Sequence, residues 1–352
     1  MKNQFVIKGM VLIIGIGVAG AGCTKKRPYD EILKDQVLQK SSINTNEEYV
    51  YVPSIENSYR NNSTSRPYWL GDAKIVKFRF TEKSLDVLEQ EPDARFAENS
   101  ANAKPVLSIP VSHLDYHCAE NSVGECSNKE EENSKITWNQ KSKFKPDMGA
   151  MAVREINSLP LQLQNLFVMG SCFVEKGNNV LDYKFTPDTI NIRVERTFTA
   201  DLECVGSIES LSDLTFNVIH HYSFARYSTI ATPGYQPVSY PQADQSTFGF
   251  FTTDSHKLSN DNRDRVEGQQ TFLNRWNPTS EVVYYLSDNF NKPEYASVKK
   301  SSYDAIAAIN DGLAKAGAKL HVTLKEPAGK VPGDLRANMI VMVEDPVGGL
   351  LG

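Results

Sequence analysis

From Leu214 to Phe224 the chain reads LTFNVIHHYSF, with Leu214, Phe216, Val218, His220, Tyr222 and Phe224 at every second position. Side chains alternate across a strand, so this period gathers the large apolar groups on one face and puts Thr215, Asn217, His221 and Ser223 on the other. Ile75–Phe80 repeats the pattern, Val76, Phe78 and Phe80 alternating with Lys77 and Arg79, and so do Ile190, Ile192 and Val194 against Asn191, Arg193 and Glu195. Short strands separated by Gly, Pro and Asn turns predict a β-rich domain over residues 66–275, a sandwich or irregular barrel. Helical signal is sparse there. TEKSLDVLEQ, from Thr81 to Gln90, reads as one short helix capped by Thr81 or Ser84, and AVREINSLPLQLQ, from Ala152 to Gln164, is interrupted by Pro160.

Near residue 275 the texture changes. Glu281–Leu286 (EVVYYL) reads as a strand, and a long helix follows from Pro293, a favoured first-turn residue, to Ala316. Tyr295, Val298, Ala305, Ile306, Ile309 and Leu313 fall on one helical face, and Gly317 suits the left-handed position beyond the helix end. A strand near Lys319–Leu324, a Pro/Gly loop from Glu326 to Gly333 and a last strand complete the segment 276–352. Met339 to Val343 are continuously apolar, as in a strand covered on both faces. One helix covers one face only, so the second face and the outer edge call for further material.

The start is of another kind. Lys2 and Lys8 flank an apolar run from Gly9 to Val18 that is short for a membrane span and suits a signal peptide over residues 1–22. Gly20-Ala21-Gly22-Cys23 resembles the bacterial lipobox, in which the peptidase cuts before a lipid-modified cysteine, although Gly20 stands where Leu or Val is preferred. The resemblance implies lipidation at Cys23 and a stable membrane anchor; Thr24 in place of Asp then favours the outer membrane, facing the periplasm or the cell surface. A plain secretory signal is the alternative. Residues 23–65, rich in Ser, Asn and Glu, read as a polar tether, and the sequons at Asn61 and Asn62 as a polar loop.

Cys118, Cys126, Cys172 and Cys204 remain, and an exported location permits disulfides. Their four thiols allow three pairings. CAENSVGEC closes a short loop around Gly124, favouring Cys118 with Cys126 and leaving Cys172 with Cys204; a zinc site is the alternative.

A net charge of −5 and no Lys/Arg cluster beyond Lys25-Lys26-Arg27 supply no field for nucleic acid. Of the six histidines, His220 and His221 point to opposite faces of their strand and cannot share one ion without a bulge; His220 is expected as a hydrogen-bonded core residue and His221 on the wetter face. His113 and His117 lie in extended chain, about 13 Å apart along a strand. His256 and Asp254 lack an identifiable nucleophile, and the acidic loop Ser259–Gly268 lacks the Gly and terminal Glu of a calcium loop. HExxH, GxSxG and P-loop motifs are absent. No catalytic or metal-binding residue is assigned.

Asn274-Arg275-Trp276, EVVYYLSDNF, the helix with AIAAIN and AKAGA, GDLRANMIVMVEDP and the final GLLG, with GFF at Gly249 to Phe251, resemble the run-in to the catalytic domain of bacterial zinc-dependent metalloprotease lipoproteins of the zincin type. The resemblance implies an α+β chain in which a β-rich domain is followed by an incomplete zincin-like α/β half-domain. Zinc belongs to the complete family domain; its ligands and glutamate base would fall beyond Gly352, so no residue here inherits a catalytic role. Asp334, Arg336 and Asn338 are expected as turn and strand-start residues. The implied partners are a membrane, through the anchor, and a protein substrate or envelope component. A non-enzymatic binding lipoprotein is the alternative.

Overall fold

The computed structural model describes residues 30–32, 34–58, 70–71, 73–89, 104–153, 173–200, 215–240, 249–258 and 266–342. Cys23, Cys172, Cys204, the sequons at Asn61 and Asn62, residues 154–164, most of the acidic loop and residues 343–352 lie outside them. The described fold is α+β and dominated by strands. In chain order these are β1 (Leu38–Gln39), β2 (Tyr49–Ser58), β3 (Lys74–Phe80), β4 (Ser84–Glu89), β5 (Lys104–Leu114), β6 (Tyr116–Glu120), β7 (Cys126–Glu132), β8 (Lys143–Pro146) and β9 (Ala152–Val153). Then come β10 (Phe173–Phe185), β11 (Thr189–Ala200), β12 (Thr215–Arg226), helix α1 (Tyr227–Ile230), β13 (Thr252–Leu258) and β14 (Val266–Leu273). The last elements are β15 (Glu281–Leu286), helix α2 (Ala296–Lys315), β16 (His321–Lys325) and β17 (Asn338–Ile340).

Ten antiparallel strands form one sheet in the order β1-β8-β5-β4-β3-β2-β12-β11-β10, with β9 beside β5. The sheet curls into a nearly closed barrel, and the rings of Phe144 on β8 and Phe185 on β10 meet edge to face at 6.1 Å. The period-two residues of the sequence fill it: Val76, Phe78, Ile190, Ile192, Val194, Phe216, Val218, Tyr222 and Phe224 are all buried. Tyr51 and Phe224 stack at 4.7 Å across β2 and β12, a pair worth about 1 kcal/mol beyond its buried area.

Two expectations change. The segment read as a polar tether contributes β1 and β2, and Tyr49, Tyr51 and Ile55 are fully buried. Polar flanks hid the alternation of YVYVPSI, whose Pro53 is opposite Tyr222 on β12. The stretch read as a short helix after Thr81 is β4. Its Leu85, Val87 and Leu88 fit a helical spacing, but β3 and β5 on either side supply backbone partners and all three are buried; the extra residue at the register shift between Val87 and Leu88 is Val106 of β5.

Chain contacts divide the molecule into two compact units. The smaller comprises Met1–Lys34 with Tyr116–Asn133, whose described core is the β6–β7 hairpin. Asp30 bridges to Lys129, Lys34 pairs with Glu130 at 2.9 Å, and Cys118 is bonded to Cys126 across a Cα separation of 5.3 Å. The larger unit holds the barrel and everything from Ser134 onward.

In the larger unit β15, α2 and β16 form a parallel strand–helix–strand crossover, and β17 adds in parallel on the other side of β15. Helix α2 ends as Gly317 leads one to expect. Gly317 has φ +72°, its N–H bonds to Ala314 O and that of Ala318 to Leu313 O, the paired geometry of a left-handed helix stop. The stripe that meets the sheet is narrower than the apolar pattern. Ile306 and Leu313 are half-buried, while Val298 and Ile309 stay exposed. Asn310 takes part instead, its amide bonding both the N–H and the C=O of Val322 at 2.9 and 2.8 Å.

Candidate functional site

Two places gather chemistry-bearing side chains, one closed and one open. The closed one lies on the outer face of the barrel. Along β12 the residues from His220 to Ala225 are buried on both faces, because the segment 331–337 lies over the outer one. His221 Nδ1 is 3.1 Å from Pro332 O and Nε2 is 2.9 Å from Asn191 Oδ1. Ser223 donates to the same Asn191 oxygen at 2.9 Å and accepts from Leu335 N–H at 3.3 Å. Gly333, at φ +90°, passes so close that an added Cβ would lie 2.3 Å from Ser54 Oγ and 2.8 Å from His221 Nδ1. Asp334 holds Arg336 through its Nε at 2.9 Å and through Nη2, with the Arg336 N–H at 3.0 Å. Burial acts to raise the Asp334 carboxyl, but the hydrogen bonds and charge of Arg336 outweigh it and keep the group below its ordinary range.

His221, expected on a wetter face, is therefore buried. Burial pulls its imidazole down; the Pro332 carbonyl and the carboxylates of Glu56 and Asp334 only partly counter this. Among the described residues no serine hydroxyl bonds a ring nitrogen of His221, so the Ser-His-acid composition of the cluster has no nucleophile–base geometry. It joins the β15–β17 segment to the barrel across the expected boundary near residue 275. Asp334 and Ala337 close a turn there, and Asn338 opens β17 with its amide on Val283 O at 3.1 Å.

The neighbouring His220 points the other way, into the barrel, as alternation requires, although the β2–β12 register shifts at Ile219/His220. It is fully buried, stacked on Tyr222 at 6.2 Å and beside Phe198. The expected hydrogen bond is missing among the described residues, where neither ring nitrogen has a partner. Burial, with the nearby Arg196 charge, pulls its pKa down to about 3.

His113 and His117 have separate partners. His113 Nε2 lies 2.7 Å from Thr81 O, His117 Nδ1 lies 2.7 Å from Cys118 O, and His321 is exposed on β16. Asp254 accepts from Thr271 Oγ1 at 2.6 Å. Among the described residues no group of three or more His, Cys, Asp or Glu side chains is placed to hold a metal ion.

The open place is an aromatic cleft of about 850 Å³ beside the β13–β14 hairpin, a size usual for ligand sites. Residues 238–240 extend the hairpin to a third strand, with Ser239 opposite Phe272 and the Tyr240 N–H on Thr271 O. The registers Thr253↔Phe272 and Ser239↔Phe272 put alternate residues on a shared face. That face carries Phe251 and Thr253 from the β13 side, Phe272, Asn274 and Trp276 from the β14 side, and Tyr235 and Pro237 from the chain leading into the third strand. Phe251 is 86% and Trp276 56% exposed, so these rings are open to a partner. Arg275 lies over the Tyr235 ring at 5.8 Å.

Hydrogen bonding in the cleft is lopsided. Asn274 Oδ1 already accepts from Thr253 at 2.6 Å, Arg275 O from the Tyr235 hydroxyl at 3.1 Å, and Gln236 O from Arg275 Nη2 at 3.4 Å. The Trp276 indole N–H, the Asn274 amide N–H groups and the rest of the Arg275 guanidinium have no partner among the described residues. The GFF and NRW segments, which carry part of the family resemblance, supply Phe251 and Trp276 of this face. A local signal was available in bulky aromatics outside any period-two run, beside Gly249 and Asn277.

No family model, curated protein or solved structure matches this chain.

Proposed function

We infer that this chain is the scaffold part of a lipid-anchored bacterial envelope protein related to zincin-type metalloproteases, held to an outer membrane through Cys23. The observation that carries the reading is the parallel β15–α2–β16 crossover with β17 on the opposite side of β15. It supports the strand, helix, strand, loop, strand order that the family resemblance implies. A zincin also needs three protein ligands and a base around an open zinc position. The sequence has no HExxH, and in this reading the chain contributes the sheet that supports such a site.

Two experiments test the parts separately. Cys23→Ser should move the protein from the membrane to the soluble fraction; an unchanged distribution removes the anchor. The reading frame that continues or adjoins the codon for Gly352 should encode an edge strand and HExxH, and unrelated sequence there would defeat the zincin relation. Chelator-sensitive cleavage of casein by this chain alone would also overturn it. The second reading, a binding lipoprotein without peptidase chemistry, is favoured by one feature, the open aromatic cleft.

A further inference from the structure

We propose that the cleft formed by Tyr235, Pro237, Phe251, Phe272 and Trp276 is a binding site for an extended, proline-rich peptide segment in the polyproline II conformation, with an acidic residue beside Arg275. The inference rests on the cleft geometry and is independent of the anchor and of the zincin relation.

Shape narrows the ligand first. The site is an open aromatic face, with Phe251 86% and Trp276 56% exposed, and its strands lay the rings out in rows along which an extended chain can lie. Chemistry narrows it further. A sugar brings hydroxyl groups that donate as well as accept, and each O–H held in the cleft needs an acceptor. Three acceptors bordering the cleft already hold one donor each, from Thr253, Tyr235 and Arg275, and keep one lone pair apiece. The donors without a partner among the described residues lie on apolar walls: the Trp276 indole N–H, the Asn274 amide and most of the Arg275 guanidinium.

The complement is a ligand rich in acceptors and poor in donors. A polyproline II segment fits because its backbone makes no internal hydrogen bonds, so its carbonyls point outward, and every proline removes an N–H. Its pyrrolidine rings pack on aromatic faces, and its stiffness lowers the entropy lost on docking, as in other aromatic-lined grooves for such peptides. Arg275, held over Tyr235 with most of its donors free, gives such a peptide a place for one carboxylate.

The test uses the full chain and a fluorescein-labelled peptide of about ten residues, proline throughout except for one central glutamate. A Gly/Ser peptide of equal length and charge and chitohexaose are measured alongside. The proline peptide is expected to bind saturably. Trp276→Ala and Phe251→Ala should each weaken it about tenfold or more, with unchanged circular dichroism and melting, since both side chains are largely exposed. Trp276→Phe, which keeps a ring and loses the N–H, should fall between parent and alanine variant. Absence of saturable binding, equal binding of the Gly/Ser peptide, or affinity indifferent to both alanine variants overturns the proposal. Chitohexaose binding that Trp276→Ala abolishes, without proline-peptide binding, overturns it in favour of a glycan.

Discussion

Replacing His220 by Phe should remove most of one pH dependence from the barrel. The unfolded imidazole takes its proton near pH 6.5, whereas in the fold burial holds that event down at about 3. Between these values the unfolded chain binds the extra proton, so stability is full above pH 6.5 and falls as the pH drops through the window. At 1.36 kcal/mol per pKa unit the whole window corresponds to roughly 5 kcal/mol, and the span from 6.5 to 5 to about 2 kcal/mol. Urea unfolding of parent and His220→Phe at pH 7.5 and pH 5 reads the difference directly. The parent should lose about 2 kcal/mol more than the variant between the two conditions. His221 is pulled in the same direction by burial but is present in both proteins, so it cancels. At pH 7.5 the variant should match or exceed the parent, because Phe exchanges two unpartnered buried nitrogens for apolar surface of similar shape. Parallel pH dependences would show that His220 is hydrated or hydrogen-bonded in solution, and the reasoning would fail.

Gly333→Ala should destabilise the larger unit by about 2 kcal/mol or more, because φ +90° disfavours a Cβ that would also meet Ser54 and His221; an unchanged urea midpoint would mean that the 331–337 segment does not pack on the barrel as described. Cys118→Ser with Cys126→Ser should expose the Asn121–Glu125 turn to proteolysis by removing about 2–3 kcal/mol of constraint from the hairpin. Equal cleavage rates for the oxidised parent and the double variant would show that the bond does not hold the hairpin closed.

The barrel strands were readable wherever one face is buried and the other wet, since that environment writes a period of two into the chain. Val76 and Phe78 on β3 and Ile190 to Val194 on β11 obey it and lie in the core. β4 was not readable, because Leu85, Val87 and Leu88 satisfy a helix as well as a strand, and the choice is made by neighbours on β3 and β5. The outer face of β12 misled for a related reason. His221 and Ser223 look like solvent-facing residues until residues 331–337 cover them. Spacing alone sufficed for Cys118 and Cys126, whose contact is local. The cleft is the opposite case. Its walls come from three stretches with Tyr235 and Trp276 far apart in the chain, and the feature that gives it chemical character, unpartnered donors on an aromatic face, exists only once those stretches are side by side.

The place of β2 between β3 and β12 also sets a schedule. Tyr49 is opposite Arg226, so the strand that centres the sheet waits through most of the chain for its second neighbour. At ~5–20 residues per second of synthesis that wait is roughly 10–35 s. During it YVYVPSI can pair on one edge only, as long-range sheets form late and slowly. Its neighbouring Pro53, Ser54 and Asn57 would break up a sticky apolar run in that interval. The polar texture that disguises this strand in the sequence also suits a segment that must remain unpaired, yet soluble, until the rest of its barrel has been made.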